Sequence, residues 1–567
     1  MPGIIVTTAV RTGPTNVQTA ATATMFVAGV TERGPDGTVH LITSLSDYQD
    51  IFGGSTASGW TYETIETFFE EGGARAYVSR VVSSSALEAS LVLQDEDAVD
   101  VMTLTASGKG EWAHGGVLQA QVLNPSPTTF KVRILLNSEI VYTTQTHASV
   151  ASAVNEINNS AVAALYVTAA DEGEETIPAV LAATNFASGL NGATIANADV
   201  NAAIDLFVNT LGPGAVCAPG FTAGAVREHL IAHAAANRRI AVMGFDKDAT
   251  VSDAIDDLTD YSSADGAEYA AFFYPWVKIP NGTLTKTIPC EGYVCAKRAK
   301  AHNERGSWTP YAGEQSQASF VIAPYAILSS SESESLDAGY VNAIKVIAGT
   351  TRIYGARSAS SDTDNFRFIT AREVLNQIVN EAENALEALL FQPIDGRRTL
   401  FSRVAATLTA IMDRIRTAGG LYEAYDGTGK QIDPGYTVQV NDAINPVSQL
   451  ATGVIGGEIT ASVEKIYIGG EKFPETLCAP SEVGDITLTK HYSHDVRTTL
   501  KDLRGIVGRA YYEIKIYDTD CDIANRQSER IYSKALLVGL SEPEGDASSG
   551  APATFALTFA ISGAPTQ

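Results

Sequence analysis

Cysteine is scarce. There are five in 567 residues, Cys217, Cys290, Cys295, Cys478 and Cys521. An odd, scattered set makes no disulfide framework and fits a reducing compartment. Long hydrophobic runs are missing as well. No stretch of roughly 18 apolar residues occurs, so the sequence contains no transmembrane helix pattern. The first residues also lack the basic-then-apolar layout of a secretory signal. Positive charge is in short supply: 39 Lys and Arg stand against 65 Asp and Glu, a formal net charge of −26. Nucleic acid needs clustered cations to neutralise phosphate, so this balance argues against such a partner. Self-repulsion between acidic surfaces instead suits a protein kept soluble at high concentration.

What is present is a globular composition, 45 % hydrophobic, in a chain too long for one core; its length corresponds to about three to five domains. The start, PGIIVTTAV, sets Ile4, Ile5 and Val6 in a row. This reads as a β-strand without a partner nearby, and a bare strand edge is an aggregation hazard. Residues 1–22 continue as an extended arm rich in Thr and Ala. Beyond them, the apolar run at 25–34, the helical period of Tyr62, Ile65, Phe68 and Phe69, and the strand ARAYVSRVV give strand, helix, strand, the start of an α/β layer. Short alternating runs split by Gly, Pro and Asn occupy 88–190 and read as a β-rich insertion, after which the α/β pattern resumes through 191–357.

Two helices follow. One carries the stripe Val374, Leu375, Ile378, Val379, Ala382, Leu386 and Leu389, with Thr370 and Glu373 at capping-box spacing. The other carries Leu400, Val404, Leu408, Ile411 and Ile415 and ends at Gly419-Gly420. SSSESESL at 329–336 reads as a solvated loop. Four strands are expected in the last 90 residues. The fold class is thus α/β and α+β multidomain: an arm at 1–22, an α/β middle layer at 23–87 plus 191–357, an inserted β-rich domain at 88–190, two helices plus strands at 358–468, and an appended β-sandwich at 469–567.

Signatures of chemistry mostly fail. YDGTGKQ at 425–431 resembles the end of a phosphate-binding loop, but Ala424 stands where the motif needs Gly and Gln431 where it needs Ser or Thr. Asp518, Asp520, Asp522 and Glu529 take positions 1, 3, 5 and 12 of a calcium loop, yet Ile523 replaces the Gly of its sharp turn. They stand as a weak calcium candidate beside a plain polar hairpin. His491 and His494, near Cys478 and Cys521 in sequence, are of zinc-ligating type, but residues three apart on a strand face opposite ways. No serine sits in a GxSxG elbow. No catalytic residue, cofactor site or firm metal site emerges, and the chain reads as a non-enzyme.

In order, these segments resemble the tail sheath proteins of contractile-tailed bacteriophages. The resemblance covers about residues 1–465. PGIIVTTAV resembles the family's N-terminal strand; FVAGVTERGP with ITSLSDYQDIFGG resembles its first strand and helix. LTASGKGEWAHGGVLQAQV resembles the opening of its inserted domain, through Gly110-Glu111-Trp112, although His114 replaces the usual Asn. FASGLNGA resembles the turn after the insert, with Ser188 and Asn191 departing from the pattern. YPWVKIPN and CEGYVCAKRAKAHNERGSWTPYAG resemble the most recognisable stretch, in Tyr274-Pro275-Trp276, Gly292, Gly306, Trp308, Pro310 and Gly313. VNAIKVIAGTTRIYGAR resembles a strand pair ending here in Gly355-Ala356-Arg357. The helices at 371–417 and INPVSQLATGVIGGEITASV resemble the family's C-terminal domain.

The resemblance implies a structural subunit of a contractile tail sheath, polymerising as stacked six-membered rings around a tail tube and contracting to drive the tube through the host envelope. It implies inter-subunit strand pairing by Ile4, Ile5, Val6 and Thr7 and by Ile459, Ala461 and Val463, a β-augmentation. The implied partners are further copies of the chain, the tail tube protein, and baseplate and tail terminator proteins, with no nucleic acid, no membrane insertion and no cofactor. The implied location is the virion, after assembly in the host cytoplasm. The alternative within the same resemblance is the sheath of a phage-tail-like contractile injection system or bacteriocin. The last 100 residues weakly resemble tail tube proteins, through Pro543, Asp546, Ser548 and Ser549; some other decorating β-sandwich is the competing reading.

Overall fold

In the computed structural model of the chain, the described residues are 21–362, 366–389, 399–425, 429, 431–433 and 435–440. The strands 461–468, 471–476, 486–491, 511–517, 529–540 and 554–561 are described as backbone alone.

The centre is an eight-stranded sheet. Its strands are β1 (Met25–Gly29), β2 (Val39–Ile42), β3 (Ala76–Arg80), β11 (Ala215–Cys217), β12 (Ile240–Met243), β13 (Ala270–Tyr274), β17 (Asn342–Ile347) and β18 (Thr350–Tyr354). The order is β18-β17-β13-β12-β11-β1-β3-β2. The six inner strands run parallel and the two edges antiparallel. Strands β1, β11, β12 and β13 are buried at every position, and their sequences MFVAG, AVC, IAVM and AAFFY are unbroken apolar runs, as strands covered on both faces require. On one face, Met25 and Val27 join a core with α1 (Leu45–Phe52), α2 (Thr61–Glu70) and α7 (Glu291–Glu304). On the other, Phe26 and Ala28 join a core with α4 (Asn197–Asp205), α5 (Gly224–Ala236), α6 (Val251–Thr259) and α8 (Ser330–Ala338). The chain passes from β1 to β3 on one side, then returns to place β11 on the other, so the topology reverses at β1.

A third core, from Ala89 to Phe186, sits between β3 and β11 in sequence. Two antiparallel sheets enclose it. One is ordered β4-β5-β9, from β4 (Ser90–Gln94), β5 (Asp100–Ala106) and β9 (Val167–Asp171). The other is ordered β10-β6-β7-β8, from β6 (Leu118–Ser126), β7 (Thr129–Leu136), β8 (Glu139–Thr143) and β10 (Leu181–Asn185). This segment also contains a helix, α3 (Val150–Asn159), which the β-rich reading omitted; Val150, Ala153 and Ile157 give it a buried stripe of helical spacing. A small sheet, β15-β14-β16, comes from β14 (Val277–Asn281), β15 (Leu284–Ile288) and β16 (Ala323–Pro324).

Two local expectations are corrected. SSSESESL is part of helix α8, not a loop. Ser329 and Glu332 form a reciprocal capping box, and Leu336 is fully buried in the second core, so a polar composition hid a capped helix with one anchoring residue. Thr370 and Glu373 form no capping box: α9 (Ile369–Glu387) begins two residues earlier than that pattern requires, with Phe368 at its N-cap. Both residues are buried in its first turns. Helix α10 (Thr399–Thr417) packs beside α9. The strands β19 (Ala424–Tyr425) and β20 (Gln431–Asp433) pair antiparallel, so the ends of YDGTGKQ, Tyr425 and Gln431, belong to two strands and not to a strand and a helix. A three-stranded sheet is ordered β21-β22-β23, from β21 (Thr437–Val440), β22 (Ala461–Ile468) and β23 (Glu471–Thr476).

Residues 477–567, with 460–462, form a second compact unit. Its four-stranded antiparallel sheet is ordered β24-β27-β26-β25, from β24 (Ile486–His491), β25 (Tyr511–Tyr517), β26 (Glu529–Leu540) and β27 (Thr554–Ile561).

Candidate assembly joint at the root of the N-terminal arm

Ala21–Ala23 forms one 3-10 turn at the start of the described chain, where it enters β1. The Arg75 guanidinium donates to Thr24 Oγ1, with Nε at 3.0 Å, and the Met25 amide donates to the Arg75 carbonyl. The carbonyl of Thr22 accepts from Arg298 Nη1 at 2.6 Å. Arg298 lies on α7, and its Nε donates to Glu373 Oε1 on α9 at 2.7 Å. His302, one turn further along α7, places Nε2 against the other oxygen of Glu373. Positions 298 and 302 share a helix face because they are four apart. One carboxylate on α9 therefore ties down α7, and through Arg298 the last turn of the arm.

The neighbouring face of α7 does the same for α2. Lys297 Nζ sits 2.5 Å from Glu71 Oε2, just past the end of α2. The other acceptor sites of Glu71 take the amides of Ser319, Phe320 and Val321. Glu71, Lys297, Arg298, His302 and Glu373 are each 3 % exposed or less. Burial would raise the Glu373 carboxyl, but the Arg298 charge and the contact with His302 outweigh it and hold it below the ordinary carboxylate value. Burial pulls His302 below its ordinary value, against the pull of Glu373. Arg298 and Glu373 form the ion pair, and His302 stands beside the second oxygen as a neutral ring, because two full cations on one buried carboxylate leave one charge uncompensated. Glu71 is likewise held low: burial opposes this, and Lys297 with the loop amides prevails.

The segments around α7 complete the joint. A Cβ on Gly292 would lie 2.5 Å from the Thr64 carbonyl, so glycine there lets α7 and α2 touch backbone to backbone. Gly306, with φ +109°, ends α7 beneath the ring of Trp308, which also lies against Gly420 after α10. Trp276 Nε1 donates to the Phe245 carbonyl at 2.6 Å, and its ring meets Trp60 edge to face. Arg357 makes two bonds to the carboxylate of Asp337. Trp308 of the recognisable motif therefore lies where the parallel sheet's helices meet the helix pair.

Of the residues expected to pair strands between subunits, Ile4, Ile5, Val6, Thr7 and Ile459 lie outside the described residues. Ala461 and Val463 lie on β22, whose place in its sheet is between β21 and β23. Asp518, Asp520 and Asp522 also lie outside the described residues, as do His494, Cys478 and Cys521. Glu529 opens β26 and His491 closes β24, both as backbone alone. Among the described residues no group of three His, Cys, Asp or Glu is arranged to hold a metal ion, and no helix is long and apolar enough to cross a membrane. The sequence reading missed the whole buried charge cluster. Its only local trace is the spacing of four between Arg298 and His302 on α7; Glu373 was assigned to a cap instead.

The N-terminal domain model of the DUF2586 family matches residues 16–264. Two solved structures resemble the chain over most of its length. The sheath tail protein of Listeria innocua is 15 % identical, with 80 % of this chain and 94 % of that one covered at a TM-score of 0.55. The sheath tail protein of Desulfitobacterium hafniense is 14 % identical, with 84 % and 100 % covered at a TM-score of 0.52. This chain has the fold of the sheath tail proteins. No curated protein matches it. The charged groups of this cluster face one another rather than an open cavity.

Proposed function

We propose that the chain is the structural subunit of the contractile sheath of a phage tail. Copies stack as six-membered rings around a tail tube, are assembled extended in the host cytoplasm, and shorten on a baseplate signal to drive the tube through the host envelope. The observation that carries this reading is the sheath fold itself, spanning four-fifths of the chain. The arm root supports it further. A strand such as Ile4–Thr7, tethered at a rigid point, reaches a neighbouring sheet at high effective concentration and adds to an exposed edge by β-augmentation. The three-stranded sheet β21-β22-β23 has two edge strands, and we assign the segment holding Ile459, Ala461 and Val463 to the same inter-subunit linkage.

In this scheme the parallel layer, the inserted segment and the helix pair move as separate domains. The C-terminal unit is a tube-like module or an exterior decoration. The particle is a virion, and the tail tube, baseplate and tail terminator proteins are its other contacts. Electron microscopy of the purified full chain tests the reading: hollow tubes or rings are expected, and a chain that stays monomeric at every salt concentration overturns it. Removing residues 1–20 is expected to leave a folded monomer that forms no tubes; tubes of the shortened chain would sink the arm's role as linker. Capsid and terminase genes beside the coding sequence are expected for a phage, and their absence moves the assignment to a contractile injection particle.

A further inference from the structure

A cavity of about 940 Å³ lies where the parallel sheet reverses its winding. Its lining includes the residues that follow β1, from Val30 to Arg33, with the last residue of β3, Arg80, and those after it to Ser83. Phe221, which follows β11, completes this side. In open parallel sheets the crevice outside the carboxyl ends of the strands, at the reversal, is where ligands bind. A volume of this size falls within the range, roughly 300–1,000 Å³, that small-molecule sites occupy.

The charge of the lining runs against that of the chain. Three cations, Arg33, Arg80 and Lys109, face two carboxylates, Glu32 and Glu111, in a protein of net charge −26. Both carboxylates belong to exposed residues and already accept from neutral groups, Glu32 from the Gly54 amide and Glu111 from Asn191 Nδ2. Arg80 is 6 % exposed. It donates from Nη1 to the Gly34 carbonyl at 2.7 Å, and its Nε is buried without a partner, as is Nη1 of Arg33. Arg33 donates to the Gln49 carbonyl at 2.8 Å. Lys109 Nζ stands 3.9 Å from Asp36, at ion-pair distance only. Arg298 and Lys297, by contrast, meet carboxylates, and Arg239 donates to the carbonyls of Val208 and Gly212 at 2.8 and 3.0 Å. A buried guanidinium with one carbonyl partner is costly unless something else supplies negative charge. Gly53 and Gly110, at φ +80° and +119°, bring bare backbone to the same wall, while Trp112, Ile195 and Phe221 make part of it apolar.

We propose that this cavity binds a small organic phosphate monoester, with Arg33, Arg80 and Lys109 supplying the countercharge and the apolar wall holding the organic part. Guanidinium forks match the oxygens of phosphate, and three cations in one cavity suit a dianion. The test is titration calorimetry of the full chain with ribose 5-phosphate and AMP, with inorganic phosphate and adenosine as separate arms. Saturable binding of at least one monoester is expected, tighter than inorganic phosphate, with adenosine silent. Arg33→Gln and Lys109→Gln, both at partly exposed positions, are each expected to weaken binding by about tenfold while the melting temperature without ligand is unchanged. No saturable binding of either monoester overturns the proposal. Binding that both variants leave intact, or that inorganic phosphate equals, overturns the assignment of the site and of the ligand class respectively. The outcome is independent of whether the chain polymerises.

Discussion

Arg298 and Arg80 are both buried guanidinium groups, and the fold treats them differently. Arg298 has a carbonyl and, on a second helix, a carboxylate that His302 also touches. Arg80 has one carbonyl and an unpartnered Nε. Burial pulls Arg80 down to about 10, only partly opposed by Asp36. The first environment is a closed joint, in which every charge is answered by another part of the same chain. The second borders an open cavity, in which the guanidinium meets no carboxylate at hydrogen-bond distance. Removing a charge from the joint should therefore be expensive, and removing one from the cavity cheap.

The largest expected effect is at Glu373. Glu373→Ala leaves the buried Arg298 without its carboxylate, and the expected loss of stability is about 3–5 kcal/mol, read from urea or thermal denaturation. The double variant Arg298→Met with Glu373→Leu is expected to recover much of that loss, because an apolar pair removes both charges at once. A double variant no better than the single one would break the account of the joint as a charge pair. Gly292→Ala comes next. Its methyl meets the Thr64 backbone, and overpacking between α2 and α7 costs about 1–3 kcal/mol.

Acid is expected to act on the compensated side in a graded way. His302 and His233 are both held below their ordinary value of 6.5 chiefly by burial, His233 to about 4 with Arg239 adding to the effect. The unfolded chain takes up these protons first, so stability is unaffected above 6.5 and falls as the pH drops through 6.5 toward about 4. Glu373, held below its ordinary 4.5, adds a further loss once the pH falls through its own depressed value. Urea midpoints across this range check the slope, which His233→Gln is expected to flatten; an unchanged slope removes His233 from the account. The smallest effect is expected at the cavity. Arg80→Met should change stability by less than about 1 kcal/mol, because burying an apolar chain there offsets the one hydrogen bond lost. A loss as large as that of Glu373→Ala would erase the distinction between the two sites.

Much of the fold was legible because burial leaves a periodic trace. The runs at β1, β12 and β13 are apolar without a break, and the stripes at Val374, Leu375 and Ile378 or at Leu400, Val404 and Leu408 repeat at helical spacing; all are buried in place. The four strands of the last 90 residues stand where their apolar runs placed them. Where the trace was weak the reading failed. Helix α8 buries little beyond Leu336 and looks like a serine-rich loop, and α3 stood among so many strand runs that its stripe went unread. Glu373 shows the limit most plainly. Its spacing from Thr370 is that of a cap, and only the start of α9 at Ile369, fixed by the backbone before it, turns its carboxylate inward instead.

By itself, the sequence determined the α/β layer, the insertion, the helix pair, the lack of a catalytic signature and the likeness to sheath proteins, because each rests on local pattern or on the order of local patterns. The tertiary structure alone decided which charges meet. Glu71, Lys297, Arg298 and Glu373 are spread over 300 residues, and nothing near any of them in sequence names its partner. The same holds for the cavity, where residues 33, 80 and 109 converge only because the chain reverses direction at β1. Local periodicity reports how far a side chain is from water; long-range electrostatics depends on which elements pack together, and that is settled only when the sheet has been wound.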